Sequence, residues 1–152
     1  MSAQSTIAEK FGLPNDTYFN NHCILWEAAK DHPWLSKVIN TATGKGVTKI
    51  YINRDFKDKL SKAFRELEKD CLHKEIRTFD GCFNERSVRG SSTTSLHAWA
   101  MAVDLNSEIE QLGESRTYWS EDFLYVMKEI GLFWGGDWVT RKDSMHFALY
   151  NG

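Results

Sequence analysis

The sequence predicts an α+β fold in which a small antiparallel sheet packs with two main helices. Two stretches with apolar residues at three- and four-residue steps predict the helices. Several short apolar or alternating runs, bounded by glycine and polar residues, predict the strands. With 152 residues, 41% of them hydrophobic and 13% aromatic, the chain has the length of one domain and the apolar content to bury a core.

Residues 1–46 are the least readable part. Within them Ile24–Ala29 reads as a short helix whose extent Pro33 limits, and Thr41–Gly46 reads as a glycine-bearing loop. Val47–Asn53 alternates and predicts a strand. The clearest helix follows, with Phe56, Leu60, Ala63, Phe64, Leu67 and Cys71 on one face, Asp55 as a cap near its start, and lysines and glutamates on the solvated face. Glu75–Phe83 predicts a strand with Ile76 and Arg77 on opposite faces, and the polar stretch Asn84–Thr94 a loop. Ala100–Leu105 predicts another strand and Asn106–Thr117 another loop. Ser120 is placed to cap a second helix with Glu121 and Asp122 in its first turn. Phe123, Val126, Met127 and Ile130 form its apolar face, and Gly131 its end. Leu132–Trp134 and Met145–Tyr150 complete the strands, split by the Gly135-Gly136 loop.

Charge narrows the class of partner. The net charge of −2 and a pI near 6.2, without a basic run or stripe, argue against nucleic acid. The first residues lack the basic start and apolar run of a signal peptide, and no stretch has the length of a membrane span. The expectation is a protein held in the cytoplasm as synthesised, without membrane insertion. Cys23, Cys71 and Cys82 are odd in number and widely spaced, which argues against a disulfide framework or a thiolate zinc cluster; Cys71 is expected in the core.

Two segments carry chemistry, Ser95–Asn106 and Asp143–Phe147. Asp104 lies inside an apolar run, where a buried carboxylate needs a cation or donors. His97 lies seven residues earlier. On a regular strand that separation places the two on opposite faces, on a helix on one face; spacing alone leaves both open. His146 lies in the last strand with Asp143 at its mouth. Two histidines and a carboxylate suffice for catalytic zinc, which takes three protein ligands and keeps one position for water. A further carboxylate such as Asp143 can move the proton. The plainer alternative is a pair of hydrogen-bonded structural histidines without metal.

Ser95-x-His97, then Ala102-x-Asp104, then Asp143-x-x-His146 resembles the signature of the M15 metallopeptidases. That family includes D-alanyl-D-alanine carboxy- and dipeptidases and phage endolysins that cut the L-alanyl–D-glutamate bond of peptidoglycan. Arg77-Thr78 and the run Leu132–Trp138 resemble the small phage-type members. The resemblance covers roughly residues 47–150 and implies a single catalytic domain over 1–152 with a fold like that of Hedgehog and D-Ala-D-Ala peptidases. It implies zinc (Zn2+) held by His97, Asp104 and His146, with Asp143 as catalytic base. Arg77 and Ser95 match positions that bind the substrate carboxylate or the developing oxyanion, a task suited to the arginine fork. Arg86 and Arg89, near the same loop, are weaker candidates or ordinary surface charges.

The chain departs from the family at Ala100, where glycine is usual and where a positive φ would strain an alanine, and at Ser144, where proline is frequent. Trp99, Trp134 and Trp138 flank the motifs, either walling a peptide groove or as partly buried core. The implied function is a zinc peptidase of peptidoglycan stem peptides, a monomeric phage endolysin acting on the wall after release, in the host periplasm, at the L-alanyl–D-glutamate bond. A D-alanyl-D-alanine carboxypeptidase and a non-catalytic metal-containing binding module of the same fold are the alternatives.

Overall fold

The computed structural model describes residues 2–84 and 94–152. The chain folds as an α+β domain, with helices α1 (Ala3–Phe11) and α2 (Asp16–His22) at its start. Each is capped by a side chain in extended backbone: Ser2 accepts from Ser5 N–H and Asn15 from Tyr18 N–H, the standard device for the free donors of a helix start.

Strand β1 (Cys23–Trp26) follows where the sequence predicts a helix, and only the four-residue α3 (Ala28–Asp31) is helical there. A four-residue apolar run carries no usable periodicity. The partner decides it: β1 pairs antiparallel with β4 (Ile50–Asn53), Ile24 opposite Ile52 and Trp26 opposite Ile50. Between them Pro33 opens a 3-10 turn, Pro33–Lys37, where its missing N–H costs nothing. The short strands β2 (Ile39–Asn40) and β3 (Lys45–Gly46) then pair around a turn at 41–44, so the predicted Thr41–Gly46 loop ends two residues early, in a strand.

Helix α4 (Arg54–Lys69) buries Phe56, Leu60, Ala63, Phe64 and Leu67, as its periodicity predicts. Its cap is Asn53, whose Oδ1 accepts from Phe56 N–H at 3.0 Å, and not Asp55, which sits in the first turn where the helix dipole favours an anion. The helix stops at Lys69, so Cys71 falls beyond its buried face. Cys71 is exposed and left-handed at φ 58°, which corrects the expectation that it joins the core.

The predicted 75–83 strand is short. A 3-10 turn (Leu72–Glu75) precedes β5 (Thr78–Phe79), which pairs in parallel with β2. Among the described residues the strands form three small sheets, antiparallel as expected except for the one parallel pair β2–β5. β6 (Ala102–Asp104), β8 (His146–Ala148) and β7 (Phe133–Trp134) form the sheet that matters for function, in the order β6-β8-β7 and all antiparallel. A bridge between Phe79 and Leu105 carries it on toward β5.

Helix α5 (Glu121–Glu129) is capped by Ser120 as expected and buries Phe123 and Met127, with Val126 and Ile130 partly covered. Gly131, at φ 101°, turns the chain out of it. Glu75 fixes its start, accepting from Ser120 N–H at 2.9 Å and Ser120 Oγ at 2.6 Å. The core is continuous from Ile7 and Tyr18 through Phe56 and Phe64 to Trp99, Phe123 and Phe147.

Candidate metal centre

His97, Asp104 and His146 come together because of a turn and a strand register. His97 lies in a 3-10 turn, Leu96–Trp99, and not in a strand. Ser95 starts that turn, its hydroxyl accepting from His97 N–H at 3.2 Å. Ala100 then adopts the left-handed conformation at φ 55°, ψ 38°, and the chain enters β6. The seven-residue spacing is thus neither all strand nor all helix. The left-handed corner that glycine would adopt freely is kept with alanine, at a cost of roughly 1–2 kcal/mol. Asp104 and His146 face each other as register partners on β6 and β8, within reach of direct cross-strand interaction.

All three side chains are buried, and one ligand atom from each lies within 4.8 Å of the others. Their outer partners fix which atoms face inward. His97 Nδ1 lies 2.8 Å from the Cys82 carbonyl, and His146 Nε2 lies 2.8 Å from the Gly152 carbonyl. A carbonyl only accepts, so each of these nitrogens carries the hydrogen. In the neutral rings His97 Nε2 and His146 Nδ1 then present lone pairs inward. They face the same carboxylate: Nε2 lies 3.2 Å from Asp104 Oδ2, and Nδ1 lies 3.4 Å from Oδ1. Among the described residues His97 Nε2 is buried with no polar partner besides Asp104. Lone pairs aimed at an anion repel unless a cation or a proton lies among them. Two imidazole nitrogens and a carboxylate oxygen are the donor set of catalytic zinc, so the residues fit the ion that the resemblance implies.

Without metal, protons take up part of that role. Burial opposes ionisation of Asp104, but the hydrogen bonds and charges of His146 and His97 outweigh it and hold the carboxyl well below its ordinary range. Burial likewise opposes the charged form of His146, yet Asp104 and then Asp143 raise its pKa. The signs define a window for chelator-treated protein. The Asp104 contribution to stability is complete above its ordinary 3.8 and is lost as pH falls through its lower folded value. The His146 contribution is complete below its ordinary 6.5 and is lost as pH rises through its raised folded value. Metal-free protein is therefore expected to gain stability from this pair between those limits and to lose it on either side. Urea denaturation from pH 3 to 9 on wild type and His146→Ala checks it; a difference between the two that does not vary with pH would count against the pairing.

Asp143 joins the site from the loop before β8. Its Oδ2 lies 4.0 Å from His146 Nδ1, and the side chain keeps 16% of its surface exposed. Gly135 makes room for it. A Cβ on Gly135 would lie 2.3 Å from the Asp143 carbonyl oxygen, and the Gly135 carbonyl accepts from Asp143 N–H at 3.0 Å. Gly135, which the sequence marks only as part of a loop, is thus a place of close backbone approach. Gly135→Ala is expected to shift Asp143 and lower peptide hydrolysis about a hundredfold with metal content unchanged. Metal analysis beside a turnover assay checks this.

Asp104 opens onto a cleft of about 400 Å3 lined also by Thr41, Asp80, Ser107, Gln111 and Met145. Asp80 organises it, accepting from Thr41 Oγ1 at 3.0 Å, Thr78 Oγ1 at 3.0 Å and Ser107 N–H at 2.8 Å. Nothing in the sequence spacing points to Asp80, because its partners come from three separate segments. Arg77 is exposed and lines a different cavity, with Glu75, Asn106 and Tyr118; its backbone N–H donates to Asn106 Oδ1 at 2.7 Å. Ser95 is buried at the head of the His97 turn. Arg86 and Arg89 lie outside the described residues. Of the three tryptophans, Trp99 is core, whereas Trp134 and Trp138 are partly exposed. Trp138 stands over the His146 ring at 5.1 Å between centroids.

Residues 89–149 match the family model described as D-alanyl-D-alanine carboxypeptidase. The match supports the resemblance to the M15 peptidases over that segment. The match contains all three candidate metal ligands and Asp143, and within the matched segment the left-handed corner is built on Ala100.

A second group has the hydrogen-bond order of a hydrolase triad. His32 Nδ1 lies 2.7 Å from Glu68 Oε2, and His32 Nε2 lies 2.8 Å from Ser61 Oγ. Both His32 and Ser61 are buried, and the His32 ring packs edge-on to Trp26, Trp34 and Phe64. A nucleophile needs a path for substrate, so this group serves to tie the residue 32 segment to α4.

Proposed function

We propose that the chain is a zinc-dependent peptidase of peptidoglycan stem peptides, cutting the L-alanyl–D-glutamate bond as a phage endolysin does. The observation that carries the metal reading is the aim of two inward lone pairs, His97 Nε2 and His146 Nδ1, at the Asp104 carboxylate. His97, Asp104 and His146 would hold the ion, which when bound supplies Lewis acidity and acidifies water near neutral pH. Asp143, beside the ligand set and partly exposed, accepts the proton of the attacking water and hands it to the leaving amine. Ser95, Arg77 and Arg86 are the substrate-binding residues in this reading, on the strength of the resemblance. Trp138, over His146, walls the side of the site toward Trp134. The retained Asp143 favours an enzyme over a metal-containing binding module, which needs no base there. In this reading the monomeric chain meets its substrate in the host periplasm.

The description of the matching family, D-alanyl-D-alanine carboxypeptidase, favours a second reading in which the terminal D-alanine is removed. Mass spectrometry of peptides released from purified peptidoglycan separates the two. New N-terminal D-glutamate is expected; loss of terminal D-alanine alone would transfer the chain to the second reading.

A further inference from the structure

The carbonyl groups on either side of the left-handed corner at Ala100 are held from outside the matched segment, residues 89–149. The Tyr18 hydroxyl donates to the Trp99 carbonyl at 2.6 Å, and Asn53 N–H donates to the Ala100 carbonyl at 3.0 Å. The two holders are joined, because Asn53 Nδ2 donates to the Tyr18 hydroxyl at 3.0 Å while Asn53 Oδ1 caps α4. Trp99 is anchored a second time by its indole, which donates to the Gly12 carbonyl at 3.1 Å. All of this converges on the residues directly after His97. The His97 carbonyl in turn accepts from Ala100 N–H and Asn84 N–H.

We propose that Tyr18 is a positioning residue for the metal centre, its hydroxyl clamping the Trp99 carbonyl so that Ala100 keeps the left-handed corner that aims His97 at Asp104. The proposal rests on the metal reading above and gives residues 2–22 a part in it. A glycine at residue 100 would take the left-handed conformation without help; an alanine needs its neighbours to over-determine it. Tyr18 is suited to this. Its ring is buried, and burial raises the phenol far above its ordinary pKa, so the donor keeps its proton. The hydroxyl has one donor to give and spends it on the Trp99 carbonyl, while its lone pair receives the Asn53 amide. A serine or threonine on α2 would be too short to span this distance, which is why the contact uses a tyrosine.

The test uses the full chain as wild type, Tyr18→Phe, Ala100→Gly and the double variant. Each is stripped with chelator and titrated with zinc against a chromophoric competitor, and each is loaded with cobalt for its visible spectrum. Tyr18→Phe is expected to weaken zinc binding by about tenfold or more, as loss of a partner behind a metal ligand does, and to alter the cobalt bands. In the Ala100→Gly background the same substitution is expected to cost about threefold or less, because glycine no longer needs the clamp. Asn53→Ser keeps a good helix cap and the tyrosine ring but removes the amide behind the hydroxyl. It is read in the same way should Tyr18→Phe fold poorly. Wild-type affinity and an unchanged cobalt spectrum in Tyr18→Phe would overturn the clamp and leave the metal centre standing. An equal loss in both backgrounds would overturn the link to Ala100. A wild-type chain that takes up no zinc would overturn the metal reading and the clamp with it.

Discussion

Asp143→Ala is expected to lower turnover of a peptidoglycan peptide by about 10²–10⁴-fold, the usual contribution of a positioned general base, while the protein keeps its metal. The carboxylate stands 4.0 Å from His146 Nδ1 and remains partly open to solvent, so it is placed to exchange a proton with water beside the ligands without being one of the three grouped donors. The Gly135 carbonyl holds its backbone, and removing the side chain leaves that contact in place. The loss should therefore fall on kcat rather than on folding or metal content. Steady-state kinetics with metal analysis on the same sample checks this. A variant that still lyses permeabilised Gram-negative cells at the wild-type rate would remove Asp143 from the chemistry.

His97→Ala has the second large effect, and its signature is different. Wild-type protein is expected to melt at a higher temperature as zinc is added, since an ion that binds only the folded state stabilises by mass action. His97→Ala should show no zinc-dependent shift and no hydrolysis above background. Without zinc the variant should also be less stable than wild type by about 1–3 kcal/mol, because buried Asp104 loses one of the partners that hold its charge. The Cys82 carbonyl loses its donor as well. A zinc shift that survives in His97→Ala would exclude His97 as a ligand.

The residues differ in how far their places can be read from sequence, and for physical reasons. Long amphipathic stretches are legible because burial of one face repeats many times: α4 and α5 appear where Phe56–Leu67 and Phe123–Met127 place them. Short elements are not. Cys23–Trp26 became a strand because β4 lies opposite, and β4 is a distant segment that local pattern does not weigh. The ends of α4 were set by the Asn53 cap and the left-handed Cys71, so Asp55 and Cys71 fell one step outside their predicted roles.

At the site, the identities of His97, Asp104 and His146 were legible as a motif, but their geometry was not. A 3-10 turn of four residues has no period to detect, and its exit through Ala100 depends on Tyr18 and Asn53, which lie 81 residues away from Trp99 and on the other strand pair, respectively. The tautomers depend on the carbonyls of Cys82 and Gly152. Backbone acceptors leave no mark in a side-chain pattern, nor does the polar hub at Asp80.

The central claim is that His97, Asp104 and His146 hold one metal ion through two imidazole nitrogens and a carboxylate oxygen. X-ray absorption at the zinc edge, on chelator-stripped protein reloaded with one equivalent of zinc, tests it most directly. The account predicts one tightly held zinc per chain with two imidazole ligands at about 2.0–2.1 Å and light oxygen ligands at about 2.0–2.2 Å, and the loss of one imidazole in His97→Ala. Zinc that washes away, or a spectrum without imidazole scattering, would contradict it.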